Sequence, residues 1–330
     1  MANNHSQFLQ FEDKITINRS RVDSLRVSRN KLREKIKTYF KDKKSSETQP
    51  KFHGQGSFMS KTLINPIPRV IEENGEEKTL YKYDIDDGVY FICNDDDCTR
   101  KSINTYHSWI VDATDGHTNT KPIDKNTCVR IIFSDGHNID LPIYFTEDEN
   151  HELAHKSKGW LESDPKEFTK WVTDSFKTNY QIRRLIKYVK AWKDFREYSN
   201  QSLILPSGLI FTILVIRNYV SNDRDDIAFF ETVKAIRNSL GISFTCYRPT
   251  KPTNEDLLAE YNNSEKILSE LDSLVSKAET AINEDDSQES CKKWQSVFGD
   301  RFSCSNLSNQ QNLESLKATA AVSKPWSATR

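Results

Sequence analysis

The sequence lacks a long hydrophobic run, and it lacks a surplus of charge of either sign. Its longest strongly apolar stretch, residues 208–216, is less than half of what a helix needs to span a bilayer. The polar start, residues 1–10, has no apolar segment of the secretory kind. Lysine and arginine number 47 against 48 aspartate and glutamate, a net charge of -1, which gives no general argument for nucleic-acid binding. We therefore expect a soluble cytoplasmic protein that needs no membrane.

Cysteine and glycine are scarce as well, with six and 10 copies in 330 residues. The irregular spacing of the cysteines predicts reduced thiols rather than a disulfide framework. Hydrophobic residues make up only 36%, but 17 Phe, 12 Tyr and 6 Trp supply bulk for a core, which argues against general disorder. At about 150 residues per domain, the length suggests two domains or one bilobal body.

The first half of the chain changes from helical to strand periodicity. Residues 19–44 carry apolar positions at helical spacing and a basic outer face, which predicts a long amphipathic helix. A polar linker, residues 45–50, leads into a region of short alternating strands that reaches about residue 149. Asn74-Gly75 predicts one hairpin, and residues 129–145 predict a second.

After residue 160 the period changes from two to 3.6. Asp164, Pro165 and Glu167 supply a cap, a first-position proline and a third-position glutamate, so a helix is expected to begin there. The predicted helices are 165–177, 180–198, 207–220, 225–240, 255–282 and 287–298. The chain therefore divides into an N-terminal region (1–50), a strand-rich domain (51–160), a helical lobe (161–304) and a flexible tail (305–330).

Three aspartates are the strongest candidates for chemistry. Asp84 and Asp86 lie two positions apart in a strand pattern, so both face one side of the sheet. In the second hairpin Ile139, Leu141 and Ile143 share a face, which leaves Asp140 on the other. If these strands are neighbours, the three carboxylates converge and require cations. Hard oxygen ligands suit two Mg²⁺ or Mn²⁺ ions of the kind that promote in-line phosphoryl transfer.

A glycine-serine turn precedes these aspartates. Backbone N–H groups at such a turn, together with the Ser57 hydroxyl, could cradle a triphosphate. Taken singly, such a turn is usually only a turn, and an Asp-x-Asp strand end is usually a solvated edge. In this order, ahead of a helical half, the patterns together favour a metal-assisted phosphoryl-transfer site.

These residues resemble the nucleotidyltransferases related to DNA polymerase β, and among them the bacterial cGAS/DncV-like nucleotidyltransferases. The resemblance covers about residues 50–240. It rests on motifs that follow the family's order: Gly54-Gln-Gly-Ser-Phe, Asp84-Ile-Asp-Asp-Gly, Ile139-Asp-Leu-Pro-Ile-Tyr, Lys158-Gly-Trp-Leu-Glu-Ser-Asp-Pro165, Leu185-Ile-Lys-Tyr-Val-Lys-Ala-Trp-Lys193 and Leu205-Pro-Ser-Gly208.

The resemblance implies an α+β fold, with a polymerase-β-like palm, a long N-terminal helix and an α-helical lobe. It implies an enzyme that links ATP, GTP or other triphosphates into a cyclic di- or trinucleotide second messenger for anti-phage defence. Asp84, Asp86 and Asp140 would hold two metal ions, and Asp140 would help to activate the acceptor hydroxyl. The nucleotide-binding residues it implies are Gly56, Ser57, Lys187, Lys190 and Ser207. It also suggests effector proteins as partners, including an enzyme that conjugates the C-terminal tail.

Several alternatives stay open at this point. The same triad could make a linear oligonucleotide or modify RNA or protein. His151-Glu-Leu-Ala-His155 matches a zinc-hydrolase motif if it is helical. Cys93 and Cys98 with a nearby histidine could bind zinc, although an acidic loop is the simpler interpretation. The basic N-terminal helix could bind nucleic acid in a non-catalytic protein. Residues 66–82 lengthen the family pattern, and residues 93–117 have no assignment.

Overall fold

A computed structural model describes residues 1–73, 75–93 and 98–305. The helices are α1 (His5–Ile15), α2 (Arg19–Lys43), α3 (Gly56–Met59), α4 (Ile103–Thr114), α5 (Pro165–Thr178), α6 (Gln181–Ser199), α7 (Gly208–Asn218), α8 (Asp225–Ile242), α9 (Ser264–Ile282) and α10 (Ser287–Phe298). The strands are β1 (Lys51–Gln55), β2 (Arg69–Glu73), β3 (Glu76–Leu80), β4 (Asp84–Cys93), β5 (Ile123–Asp124), β6 (Cys128–Ile132), β7 (Asn138–Glu147), β8 (Asn150–His155) and β9 (Gly159–Glu162).

The main sheet has the order β1-β4-β7-β6-β5, and β8 and β9 extend it from β7. The central pair, β4 and β7, is parallel, and the other pairs are antiparallel. Both predicted hairpins are present: β2 pairs with β3, and β6 pairs with β7. Asn74 lies outside the described residues, and its neighbour Gly75 has a positive φ of 82°. Such a φ suits glycine at a hairpin turn.

One face of the sheet packs against α2 and α4. Alternation along β4 and β7 sends every second side chain to this face, and its buried residues are Ile85, Val89, Phe91, Ile139, Leu141, Ile143 and Phe145. Helix α2 contributes Leu25, Leu32, Ile36 and Phe40 to the same core. The burial of this face leaves the alternate residues of β4 and β7, the aspartates among them, on the other side.

The chain forms two compact units built from separate segments. The sheet unit comprises Ile15–Arg217 and Ser243–Asn262, and the helical unit comprises Met1–Lys14, Asn218–Ile242 and the chain from Asn263 onward. In the helical unit, aromatic rings of α1 and α10 pack together, with Phe8 in edge contact with Trp294 at 4.9 Å. The division into four consecutive parts made from the sequence stays a prediction.

The later helices follow the predictions with one correction. Asp164 caps α5 by accepting from the backbone N–H groups of Lys166 and Glu167. The helix predicted to begin at residue 255 begins only at Ser264. Residues 255–257 instead form backbone hydrogen bonds with residues 246–248, and the Asp256 carboxylate accepts from the Cys246 N–H at 2.8 Å. Both stretches lie in the Ser243–Asn262 segment of the sheet unit.

The cysteine prediction was wrong for four of the six residues. Cys93 pairs with Cys98 and Cys291 pairs with Cys304, with Cα atoms 5.6 and 5.8 Å apart, while Cys128 and Cys246 are buried thiols. Such Cα separations lie within disulfide range. The irregular spacing of the cysteines gave no indication that each disulfide joins two residues close in sequence.

Within the described residues, none of the helices has the length and apolar character that crossing a membrane requires. The predicted flexible tail, from residue 306 onward, lies outside the described residues.

Candidate active site

The register of the parallel pair β4 and β7 places the predicted aspartates on neighbouring strands. Asp86 is the direct partner of Asp140, and Asp84 is the partner of Asn138. The Asn138 side-chain amide donates to the Asp84 carboxylate at 3.0 Å. Because all these residues occupy alternate positions, their side chains share the face opposite the core. The structure therefore brings Asp84, Asp86 and Asp140 to one location.

The glycine-serine turn lies against the same aspartates. Strand β1 pairs with β4 so that Gln55 is opposite Asp86, and Gly56 follows with a φ of 69°. A Cβ atom at Gly56 would stand 2.2 Å from the Asp86 Oδ2 atom, which no side chain could tolerate. Glycine is thus required here both by backbone conformation and by the closeness of the carboxylate. Ser57 follows within α3.

The site concentrates negative charge. The pKa of Asp86 is raised from 3.8 to about 7, first by burial and then by the charges of Asp140 and Asp84, while Arg130 and Lys190 act in the opposite direction. A carboxylate that resists ionisation next to two others is the electrostatic signature of a site that gains from a cation.

Arg130 supplies one such cation, and the sequence analysis missed it. On β6 it is paired in register with Asp140. Its guanidinium donates to both Asp140 oxygens at 2.6 and 2.7 Å and lies 3.2 Å from an oxygen of Asp84. The hydrogen bond to Asp140 is the first cause that raises the pKa of Arg130. The alternation Val129-Arg130-Ile131 was the available signal, since it puts Arg130 on the same face as the aspartates.

Of the two lysines predicted on α6, Lys190 is the one that faces the carboxylates. Its ammonium donates to the Thr62 hydroxyl at 3.0 Å. Burial lowers its pKa from 10.5 to about 7, against the opposing effect of Asp86. Ser207 comes directly before α7, where its N–H donates to the Tyr261 hydroxyl at 3.1 Å. A Cβ on Gly208 would lie 3.3 Å from the Lys190 Cε atom, so Ser207 and Lys190 are close neighbours.

Lys187 is directed elsewhere. Its side chain is buried, and its ammonium donates to the Thr16 hydroxyl at 2.7 Å. It lines a cavity to which none of the three aspartates contributes. The structure therefore does not bring Lys187 to the carboxylates in this conformation.

The donor set fits divalent metal by its chemistry. Asp84, Asp86 and Asp140 offer hard oxygen ligands of the type that Mg²⁺ and Mn²⁺ prefer, and the charges of Asp140 and Asp84 add to burial in raising the pKa of Asp86. In the part of the chain that the structure describes, no three His, Cys, Asp or Glu side chains are arranged around a single ion position. In this conformation Arg130 instead bridges Asp140 and Asp84.

The zinc-hydrolase interpretation of His151-Glu-Leu-Ala-His155 lacks its helix. These residues form strand β8. The His151 ring is hydrogen-bonded to the Thr146 hydroxyl at 2.8 Å, Glu152 pairs with Arg100, and the His155 ring accepts from the Lys158 N–H at 3.1 Å. Their spacing gives no common metal site on a strand.

Comparison with known families finds that this part of the chain is similar to a nucleotidyltransferase domain. The family model described as "Cyclic GMP-AMP synthase DncV-like, nucleotidyltransferase domain" matches residues 50–144. The matched range contains Gly56, Ser57 and all three aspartates.

Two curated relatives are similar over much of the chain. A cyclic GMP-AMP synthase from Escherichia albertii is 28% identical over 230 residues, which are 68% of this chain and 48% of the relative. The cyclic GMP-AMP synthase of Vibrio cholerae serotype O1 is 26% identical over 326 residues, 78% of this chain and 69% of the relative. The chain thus spans about half the length of the first of these relatives.

Among solved structures, the Vibrio cholerae DncV cyclic AMP-GMP synthase in complex with nonhydrolysable GTP matches with a TM-score of 0.76 at 20% identity, covering 93% of this chain and 98% of that one. At this level of identity the likeness concerns the fold. It confirms the predicted α+β class, with a nucleotidyltransferase palm and a helical lobe.

Proposed function

We propose that the chain is a bacterial cGAS/DncV-like nucleotidyltransferase that joins nucleoside triphosphates into a cyclic di- or trinucleotide, and its similarity to the DncV-like nucleotidyltransferase domain and to two cyclic GMP-AMP synthases supports this. The observation that carries the proposal is the parallel register that sets Asp86 opposite Asp140, with the Gly56 backbone against Asp86. ATP, GTP or another triphosphate would serve as substrate.

The reaction is an in-line displacement at phosphorus. A 3′- or 2′-hydroxyl oxygen of one nucleotide forms a bond to the α-phosphorus of another, the bond to the bridging oxygen breaks, and pyrophosphate leaves. A second cycle closes the ring and releases a second pyrophosphate. Two Mg²⁺ or Mn²⁺ ions held by Asp84, Asp86 and Asp140 would supply neutralisation of the phosphate charge.

The chain's own residues position the reactants. Asp140 accepts the proton of the attacking hydroxyl. Gly56 and Ser57 offer N–H and O–H groups to the donor triphosphate, and Lys190, with Ser207 beside it, adds a positive charge that already faces Asp86. Positioning and electrostatic stabilisation are the main sources of catalysis in phosphoryl transfer. The predicted contact of Lys187 with the triphosphate stays a prediction.

We propose that the product acts in the cytoplasm as a second messenger in anti-phage defence, with effector proteins as its receivers. Conjugation of the tail beyond residue 305 by a partner enzyme is part of the same proposal.

Incubation of the purified chain with radiolabelled nucleotides tests the function. With Mg²⁺ and mixtures of the four triphosphates, we expect pyrophosphate release and a product that resists phosphatase, identified as cyclic by mass spectrometry after nuclease digestion. A phosphatase-sensitive product would indicate a linear oligonucleotide. Labelled RNA or protein would indicate a modifying enzyme, and no pyrophosphate release under any mixture would contradict nucleotidyl transfer.

A further inference from the structure

A second concave site lies in the sheet unit, on the side of α6 where Lys187 is directed. It is a cavity of about 390 Å³, within the range of about 300–1,000 Å³ that small-molecule sites occupy. Five of the side chains that line it are cationic, and no aspartate or glutamate lines it: Arg26, Arg29, Lys61, Arg183 and Lys187. The cavity therefore carries charge of a single sign.

Of these cationic side chains, Arg26 forms an ion pair with Asp23, and the charge of Asp87 acts to raise the pKa of Arg29. Arg29 makes its side-chain hydrogen bonds to the Asn30 amide oxygen, and burial followed by the charge of Arg33 lowers its pKa. Arg183 donates to the Lys61 carbonyl oxygen at 2.9 Å. Among the described residues, Lys61 makes no ion pair. Like charges gathered in this way stabilise an anion that enters.

Apart from Thr16, the rest of the lining is apolar and consists of Ile17, Val22, Phe58, Met59 and Leu63. A simple inorganic anion would use none of this surface. A molecule with a flat ring would bury it while its anionic group reaches the arginines, whose planar guanidinium groups match phosphate oxygens in pairs.

We propose that this cavity binds a small organic phosphate that carries a planar ring, at a site separate from the carboxylates. The separation rests on the cavity lining, which includes none of the three aspartates, and on Lys187, whose ammonium donates to Thr16 in the cavity wall. Phe58 and Met59 directly follow Ser57, so a bound ligand would contact the helix that carries the proposed triphosphate residues.

Binding to the full-length chain in EDTA tests the proposal without turnover, so the result does not depend on the proposed reaction. The probes are 1-naphthyl phosphate, 5′-AMP, pyrophosphate and 1-naphthol, titrated by calorimetry. We expect saturable binding of one ring-bearing phosphate with a Kd at least about tenfold lower than that of pyrophosphate or naphthol. Preference for AMP would identify a nucleotide as the ligand, and preference for naphthyl phosphate another aryl phosphate.

Matched variants place the probe. Arg29→Gln with Lys61→Gln removes two cavity charges and should weaken binding about tenfold or more. Lys37→Gln with Lys41→Gln removes two exposed charges from the same helix α2 and should leave the Kd unchanged within about twofold. Arg26→Gln alters a half-exposed arginine and provides a second cavity variant should the double variant fold poorly, as judged by circular dichroism.

Three results would overturn the proposal. The first is the absence of saturable binding of either ring-bearing phosphate to the wild-type chain. The second is an equal loss of affinity in the cavity and control variants, which would indicate a general charge effect. The third is loss of binding in Lys190→Met with none in the cavity variants, which would place the probe at the carboxylate site.

Discussion

Asp86 on β4 lies directly opposite Asp140 on β7, in the one parallel strand pair of the described sheet. Antiparallel β6 then places Arg130 opposite Asp140 on the other side. The acidic cluster and its counter-charge are therefore fixed by strand register, on the sheet face opposite the core. This arrangement makes the chemistry of the site testable residue by residue.

Replacing each of two adjacent aspartates on β4 with asparagine should change the stability of the fold in opposite directions. Asp86→Asn removes a charge that Asp84 and Asp140 repel, so we expect a higher Tm in EDTA and loss of pyrophosphate release. Asp87 points to the other face, is fully buried and pairs with Arg33, with 2.7 Å between the Arg33 Nε and an Asp87 oxygen. Asp87→Asn should therefore cost about 3–5 kcal/mol of stability.

Thermal melting and a pyrophosphate assay on both variants check this contrast. Asp87→Asn is the control, because it also replaces a carboxylate with an amide, one residue away and outside the acidic cluster. A drop in Tm for Asp86→Asn, or activity retained by it, would contradict the assigned cluster.

Much of the fold could be predicted because the periodicity of apolar residues indicates which face of a strand or helix is buried. The alternation of Ile139, Leu141 and Ile143 correctly placed Asp140 on the face opposite the core, and the cap at Asp164 correctly began α5. The sequence could not show which strands are neighbours, since pairing of β4 with β7 spans about fifty residues and depends on the whole sheet.

Other features could not be predicted from the sequence because they depend on tertiary contacts. Residues 255–263 have helical periodicity, but pairing with residues 246–248 overrides it. Arg130 looked like one charge in a strand until β6 and β7 were aligned. Lys187 and Lys190 stand three positions apart on α6 and looked equivalent, yet only Lys190 faces the acidic cluster.

The stability of the metal-free chain should pass through a minimum near pH 7. Asp86 has its pKa raised from 3.8 to about 7, so the folded state holds a proton that the unfolded state releases, and stability falls as pH rises through this window. Lys190 has its pKa lowered from 10.5 to about 7, so stability rises again from pH 7 towards 10.5. Each limb has a slope of at most about 1.4 kcal/mol per pH unit.

Urea unfolding in EDTA across pH 4–10 measures these limbs. Relative to the wild type, Asp86→Asn should remove the fall in stability with rising pH below pH 7, and Lys190→Met should remove the rise in stability above pH 7. Identical pH profiles for all three proteins would show that the two groups do not titrate as described.

Arg130 should compete with divalent metal. In EDTA, Arg130→Gln removes the two hydrogen bonds to Asp140 and should cost about 2 kcal/mol. MgCl₂ should raise the Tm of this variant more than it raises the Tm of the wild type. The reason is that Mg²⁺ no longer has to displace a guanidinium from Asp140.

Arg237→Gln is the matched control, because Arg237 makes a similar two-bond pair with Asp272 in the helical unit. Its Tm change should not depend on MgCl₂. A magnesium response of Arg130→Gln that equals the wild-type response would show that Arg130 and metal do not share the carboxylates.

Gly56→Ala should abolish pyrophosphate release, because the added Cβ would displace the Asp86 carboxylate. Gly75→Ala provides the control, since Gly75 also has a positive φ but a Cβ there would meet nothing within 4 Å. Both changes should cost about 1–2 kcal/mol of backbone strain. Equal activity of the two variants, measured after each is shown to be folded, would contradict a role for the contact between Gly56 and Asp86.

The central claim is that Asp84, Asp86 and Asp140 share divalent cations. Anomalous scattering from Mn²⁺ in crystals grown with a nonhydrolysable triphosphate tests it most directly. The account predicts manganese peaks at ligand distance, about 2.0–2.3 Å, from oxygens of all three carboxylates, with Arg130 moved off Asp140. Manganese bound elsewhere, or a triphosphate bound while Arg130 still bridges Asp140 and Asp84, would contradict it.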